Sequence, residues 1–76
     1  MKSHIDTRRK IKNIGKLADF EELLAAGIFT DEEKQIMRMH YLKGQTFGYI
    51  GDILGYSEAA IKRKHLKILD KIVMII

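Results

Sequence analysis

The sequence predicts an all-α domain, a small four- to five-helix bundle that contains a helix-turn-helix. The 76 residues include no proline, so no residue type forbids the helix interior. Apolar residues recur at three- and four-residue spacing, and glycines and hydroxyl residues fall between the periodic segments. Because 46% of the residues are hydrophobic, a chain of this length can bury a compact core. We therefore expect one domain over residues 1–76.

The first helical segment covers roughly residues 6–26. Its apolar positions are Ile11, Ile14, Leu17, Phe20 and Leu24. Gly15 interrupts this pattern and can divide it into a basic N-terminal arm or helix (1–16) and a shorter acidic helix. Gly27 follows Ala25 and Ala26 and is expected to cap the segment.

The next helix has the clearest start signal in the chain. Thr30-Asp31-Glu32-Glu33 is a capping box, in which the Thr30 hydroxyl accepts from the N–H of Glu33 and the Glu33 carboxylate reaches back. Acidic residues are also favoured at the positive end of the helix dipole. The predicted apolar stripe contains Ile36, Met37, Tyr41 and one of Met39 and His40. Lys43-Gly44-Gln45 then ends the helix.

Residues 46–69 read as a helix-turn-helix. Thr46 is the predicted N-cap of a helix over 47–54, and Gly55 stands where a left-handed C-cap residue is needed. Ser57 caps the second helix, and Gly51 lies where the two helices approach closely. The apolar residues expected to close the pair are Ile50, Leu54, Tyr56 and Ile61. The second helix (about 57–69) presents its charged side outwards, which is the side a nucleic-acid reader uses.

This recognition helix is expected to continue into the bundle. The predicted core-facing stripe is Ile61, Ile68, Leu69, Ile72 and Val73, with Lys62, Arg63, Lys67 and Lys71 outside. The sequence ends in five consecutive apolar residues, which cannot all lie on one helix face: Ile72, Val73, Met74, Ile75 and Ile76. Two interpretations stay open. They pack against Ile11, Ile14 and Leu17, or they form the seam of a homodimer with two recognition helices about one DNA turn (~34 Å) apart.

Charge is segregated along the chain. Residues 1–16 carry six Lys/Arg and one acid, residues 17–33 carry six acids and no base, and residues 34–76 carry eight bases and three acids. Two basic segments separated by an acidic one suit a protein that places selected faces against phosphate. Charge segregation without a binding role is equally compatible with this pattern.

Composition excludes several function classes. Without cysteine there are no disulfides or thiolate metal sites, which is compatible with the cytoplasm. His4, His40 and His65 fall on separate segments without metal-ligand spacing, so no metal or other cofactor is expected; His65 is instead expected to be partly buried and to donate to a carbonyl. No nucleophile or phosphate loop supports an enzyme. The sequence also lacks a signal-like apolar stretch, and its apolar end is too short for a membrane span.

Two blocks of the sequence resemble region 4 of bacterial sigma factors. The first, Phe29 to Tyr41 (FTDEEKQIMRMHY), is similar to the family helix L-T-x-x-E-R-x-V-L-x-L-R-Y. The second, Thr46 to Arg63 (TFGYIGDILGYSEAAIKR), is similar to T-x-x-E-I-A-x-x-L-G-I-S-x-x-x-V-K/R-x. Gly48 and Gly51 replace residues that are usually Glu and Ala, at about 1 kcal/mol each in helix propensity.

The resemblance places the family-like core at 30–72 and implies a helical domain that reads promoter DNA in the major groove and contacts RNA polymerase. A complete sigma factor also has region 2, for which 76 residues leave no room. The closer comparison is therefore with short regulators of phages and mobile elements that resemble a lone region 4.

The resemblance implies a set of DNA-binding residues: Thr46, Ser57, Glu58, Ala59, Lys62, Arg63, Lys64 and Lys67. Lys62 or Arg63 would donate to guanine, Ala59 would contact a thymine methyl group and Glu58 would accept from cytosine. Further phosphate contacts are expected from Arg8, Arg9, Lys10, Lys12 and Lys43.

Two alternatives stay open. The lysines could form an ordinary solvated helix face. The chain could also be a protein-interaction module that acts as an adaptor or inhibitor of RNA polymerase or another enzyme. That module would use the acidic residues Asp19, Glu21, Glu22, Asp31, Glu32 and Glu33.

Overall fold

The computed structural model describes residues 4–75, which fold into five α-helices with no strand among them. The helices are α1 (His4–Lys12), α2 (Leu17–Ala26), α3 (Asp31–Met37), α4 (Phe47–Leu54) and α5 (Glu58–Ile75). A π-helical turn, Arg38–Leu42, continues α3 without a break. The long α5 is the centre of the bundle and packs against α1, α3 and α4. The all-α prediction is confirmed.

The first predicted segment is two helices. α1 ends at Lys12 and α2 begins at Leu17, so the division at Gly15 is confirmed. Gly27 follows α2 as expected, but its φ of −104° is extended rather than left-handed. A Cβ there would overlap the ring of Phe29 and lie 2.7 Å from the side chain of Ile75, so both side chains would have to shift to admit a larger residue.

The start of α3 follows the capping-box prediction. The Glu33 N–H donates to the Thr30 hydroxyl (3.1 Å), and the Thr30 N–H donates to the Glu33 carboxylate (2.8 Å). After Met37 the ladder widens, and the Lys43 N–H donates to the carbonyl oxygen of Arg38 (3.2 Å). This π-helical turn was not visible in the sequence. It ends the helix just before Gly44, whose φ is +66°.

One hydrophobic core joins all five helices. Its buried members are Ile11, Phe20, Leu24, Ile36, Met37, Met39, Ile50, Ile61, Ile68, Leu69 and Ile72. One polar link ties α2 to the π-helical turn, since Arg38 donates to both carboxylate oxygens of Glu21 (2.8 and 2.7 Å). A second ties α5 to α3, since Lys71 donates to Glu33 (2.7 Å). Lys71 also donates to the carbonyl of Ile28 and is half-buried, so it is less exposed than predicted.

The apolar end of the chain divides between core and surface. Ile72 is buried and Val73 half-buried, whereas Met74 is 88% exposed. Leu17 is 62% exposed, so it does not provide the packing partner predicted for this end. Ile76 lies outside the described residues. No helix within the described part of the chain is long and apolar enough to cross a membrane.

Candidate nucleic-acid interface

The turn between α4 and α5 is closed by the backbone around two glycines. Gly55 has a φ of +83°, a left-handed conformation that favours glycine. Its N–H and that of Tyr56 both donate to the carbonyl oxygen of Gly51 (2.8 Å each). A Cβ on Gly51 would overlap the carbonyl oxygen of Tyr56. The expected bend at Gly55 and the close approach at Gly51 are therefore both confirmed.

The bend leaves one side of α5 free of the bundle. Ile61, His65 and Ile68 face the core, whereas the opposite side carries mainly polar and basic residues, with Leu66 (46% exposed) among them. Five exposed residues of this side, which we call the recognition face, are Glu58, Ala59, Lys62, Arg63 and Lys67. Lys62 lies 3.9 Å from Glu58 one turn away, a loose pair between exposed side chains. The recognition face has the exposure that entry into a groove requires.

Both predicted cap hydroxyls are engaged in capping. The Thr46 hydroxyl accepts from the N–H of Tyr49 and the Ser57 hydroxyl from that of Ala60, each at 3.1 Å. Each hydroxyl still has a proton to donate, and both residues are exposed. Thr46 at the start of α4 can therefore present a donor to a phosphate while it caps the helix.

Lys64 differs from its basic neighbours on α5. Its Nζ lies 3.1 Å from the Glu32 carboxylate and 4.4 Å from the centre of the Tyr56 ring. The Tyr56 hydroxyl in turn donates to Glu32 (2.7 Å). Tyr56 was expected to close α4 onto α5 by apolar packing, but it is 36% exposed and binds α3. The separation of 24 residues explains why no local pattern revealed this contact.

His65 lies in an aromatic cluster behind the recognition face. The residue is 3% exposed, and its Nε2 is 2.7 Å from the Tyr41 hydroxyl. The prediction of a bond to a carbonyl is wrong, since the partner is this phenol. His40 stacks on Phe47 (centroids 4.2 Å apart) and meets the edge of His65 at 5.4 Å. No spacing or motif indicated that the two histidines meet.

Burial shifts the pKa values of two members of this cluster, His65 and Tyr41. It lowers the pKa of His65 to about 4, with smaller contributions from the charges of His40, Arg8 and His4. Burial also raises the pKa of Tyr41, partly offset by Arg8. His65 is therefore a neutral core residue at neutral pH. No group of three or more His, Asp or Glu residues that could hold a metal occurs within residues 4–75.

The remaining predicted phosphate contacts separate by exposure. Arg9, Lys10 and Lys12 on α1 are exposed, as is Lys43 after the π-helical turn. Arg8 is half-buried, with its charge acting on Tyr41 and its Nε out of contact with solvent. Arg8 is thus the least accessible of the five.

Three of the six acids in residues 17–33 form ion pairs within the molecule. Glu21, Glu32 and Glu33 pair with Arg38, Lys64 and Lys71 respectively. The hydrogen bonds from Arg38 lower the pKa of Glu21, and that from Tyr56 lowers the pKa of Glu32. Asp19, Glu22 and Asp31 are exposed.

Helices α4 and α5 and the turn at Gly55 that joins them define a helix-turn-helix domain. The chain matches the family described as Sigma-70, region 4 over residues 28–72, more than half of its length, and it belongs to that family. The family comprises DNA-binding domains rather than enzymes, and its members bind DNA and RNA polymerase. Searches of curated proteins and of solved structures returned no match. The matched region begins after α2, so α1 and its basic residues lie outside it.

Proposed function

We propose that the protein is a sequence-specific transcription regulator that inserts the first turns of α5 into the major groove of DNA. Family membership and the exposed recognition face support this proposal. The observation that carries it is the left-handed turn at Gly55, which frees that face while the opposite side of the same helix remains in the core.

Each exposed side chain has a role in the proposed complex. Arg63 and Lys62 donate to guanine O6 and N7, Ala59 contacts a thymine methyl group, and Glu58 accepts from cytosine. The phosphate contacts come from Thr46, Ser57, Lys67, Lys43 and the α1 residues Arg9, Lys10 and Lys12. A regulator of this kind works in the cytoplasm, and the short regulators of phages and mobile elements remain the functional comparison that we favour.

The proposal is tested by selecting bound sequences from a random duplex library and titrating the selected duplex at several salt concentrations. Affinity should fall steeply with salt. We expect Arg63→Ala to cost about 1–3 kcal/mol on the selected duplex and to relax its sequence preference. The matched control is Lys16→Ala, which removes the same charge from an exposed position outside the recognition face. Equal losses in the two variants, or no selected sequence, would refute the proposal.

A second candidate function is a protein-interaction module that acts on RNA polymerase or another enzyme. It is favoured by Tyr49 and Ile53, which are about half exposed one turn apart on α4 and line a groove with Met39. Under this function, Tyr49→Ala would abolish binding to purified RNA polymerase. The affinity for DNA would be weak and without sequence preference in the wild-type protein and in every variant.

A homodimer is not needed for either function. Because Ile72 is buried within one protomer, the predicted seam of Ile72–Ile76 is reduced among the described residues chiefly to Met74 and Ile75. Sizing chromatography during the DNA titration would reveal such a dimer.

A further inference from the structure

We infer that Glu32 positions the recognition helix through Tyr56 and Lys64, and that Lys64 is a positioning residue rather than a DNA contact. We call these three residues the Glu32 triad. Its part in DNA recognition rests on the proposed function, whereas its part in holding the helices together does not.

The three members of the Glu32 triad contact one another pairwise. One carboxylate oxygen of Glu32 accepts from the Tyr56 hydroxyl (2.7 Å), and the other pairs with Lys64 Nζ (3.1 Å). Lys64 Nζ also lies over the Tyr56 ring, 4.4 Å from its centre. Each member therefore contacts both others, so loss of any one loosens the remaining contact.

The three residues come from three different parts of the fold. Glu32 lies in the first turn of α3, which Thr30 caps and whose dipole favours a negative charge. Tyr56 is the residue between Gly55 and Ser57 in the turn, and Lys64 lies nearly two turns into α5. The bend at Gly55 has no side chain to brace it. The Glu32 triad supplies that brace from outside and fixes the tilt of the recognition helix against α3.

The charge of Lys64 is already compensated within the fold. Hydrogen bonding with Glu32 raises the pKa of Lys64, and the bonds from Tyr56 and Lys64 lower that of Glu32. In contrast, neither Arg63 nor Lys67 forms an ion pair with any residue in the range 4–75. Affinity for DNA comes largely from counterions that free cationic groups release from phosphate. Arg63 and Lys67 can supply that release, whereas Lys64 would first have to leave Glu32.

The first experiment needs no DNA. Melting temperatures are measured for Glu32→Gln, Lys64→Met and the double variant, with Glu22→Gln as an exposed acid on α2 that has the same charge change. We expect the double variant to lose about 2–5 °C less than the sum of the single losses. Additive losses would overturn the triad. Should Glu32→Gln fail to fold, Tyr56→Phe paired with Lys64→Met gives the same test with one hydroxyl removed.

The second experiment measures how affinity for a scrambled duplex of about 30 base pairs depends on salt. Each phosphate contact contributes about 0.9 to the slope of log affinity against log salt. We expect Lys67→Ala to reduce the slope by about 0.9 and Lys64→Met to leave it unchanged. Glu32→Gln, by releasing Lys64, should steepen the slope beyond the effect of Glu22→Gln. A slope reduced equally by Lys67→Ala and Lys64→Met would overturn the assignment of Lys64.

Positioning has its own measurable effect. Tyr56→Phe removes no charge, so affinity for the scrambled duplex should not change. The ratio of selected to scrambled affinity should fall about threefold to tenfold, a fraction of what one base pair contributes. An unchanged ratio would overturn the positioning role. If the wild-type protein binds no duplex, the proposed function fails, and the melting experiment alone decides whether the triad exists.

Discussion

Acid should begin to destabilise this protein through His65 at a pH above that at which carboxylates protonate. In the folded state burial lowers the pKa of His65 to about 4, whereas an unfolded histidine titrates near 6.5. The unfolded state therefore binds a proton first as pH falls. The stability that neutral His65 contributes is fully present above pH 6.5 and is lost progressively between 6.5 and 4.

The expected loss follows from the two pKa values. Within this window unfolding takes up nearly one proton, which corresponds to about 1.4 kcal/mol per pH unit. At about pH 5 the loss is about 2 kcal/mol, and it saturates near 3 kcal/mol below pH 4. A domain of this size is stable by roughly 5–10 kcal/mol, so the change is large enough to measure.

The assay is urea denaturation followed by far-ultraviolet circular dichroism, at about pH 7.5 and about pH 5. His65→Gln should be less stable at the higher pH but should lose most of its pH dependence. Tyr41→Phe is the matched control. It removes the hydroxyl that meets His65 Nε2 and keeps the titratable imidazole of His65. Equal pH dependence in His65→Gln and the wild-type protein would refute the reasoning.

Three further predictions concern the turn and its helices, each checked by thermal melting. Gly51→Ala should cost about 1–3 kcal/mol because its Cβ would overlap the carbonyl oxygen of Tyr56. Gly48→Ala, the matched substitution in the same helix, should stabilise the protein by about 0.5–1 kcal/mol because the nearest neighbour of its Cβ, Glu58, is 3.8 Å away. A loss of stability as large as that of Gly51→Ala would contradict the steric argument. Thr46→Ala should cost about 1 kcal/mol through the lost bond to the Tyr49 N–H, and an unchanged melting temperature would show that water replaces the cap.

The local features of the fold could be predicted because their causes lie within a few residues. The capping box joins Thr30 to Glu33, three positions apart, and the left-handed Gly55 directly follows the last residue of α4. Residue type and spacing determine such features almost completely. The exposed side of α5 followed from helical period for the same reason.

The features that were missed depend on contacts between distant parts of the chain. Tyr41 meets His65 and Tyr56 meets Glu32, each across 24 residues. Tyrosine, histidine and lysine are each at home both in a core and on a surface, so their type does not reveal their partner. Lys62 and Lys64 therefore look equivalent in the sequence, although of these two only Lys64 contacts α3.

The widened turn at Arg38–Leu42 has a consequence for how the chain tolerates changes in length. Its bond from Lys43 to Arg38 spans five residues where an α-helix spans four. Removing a single residue there would restore the ordinary ladder and leave the direction of the downstream chain nearly unchanged, because the wider turn holds one residue more than an α-helical turn. The same loss within α3 would rotate the chain after it by roughly 100°. This turn is therefore the place in the first half of the bundle where the chain can lose one residue while α4 keeps its direction.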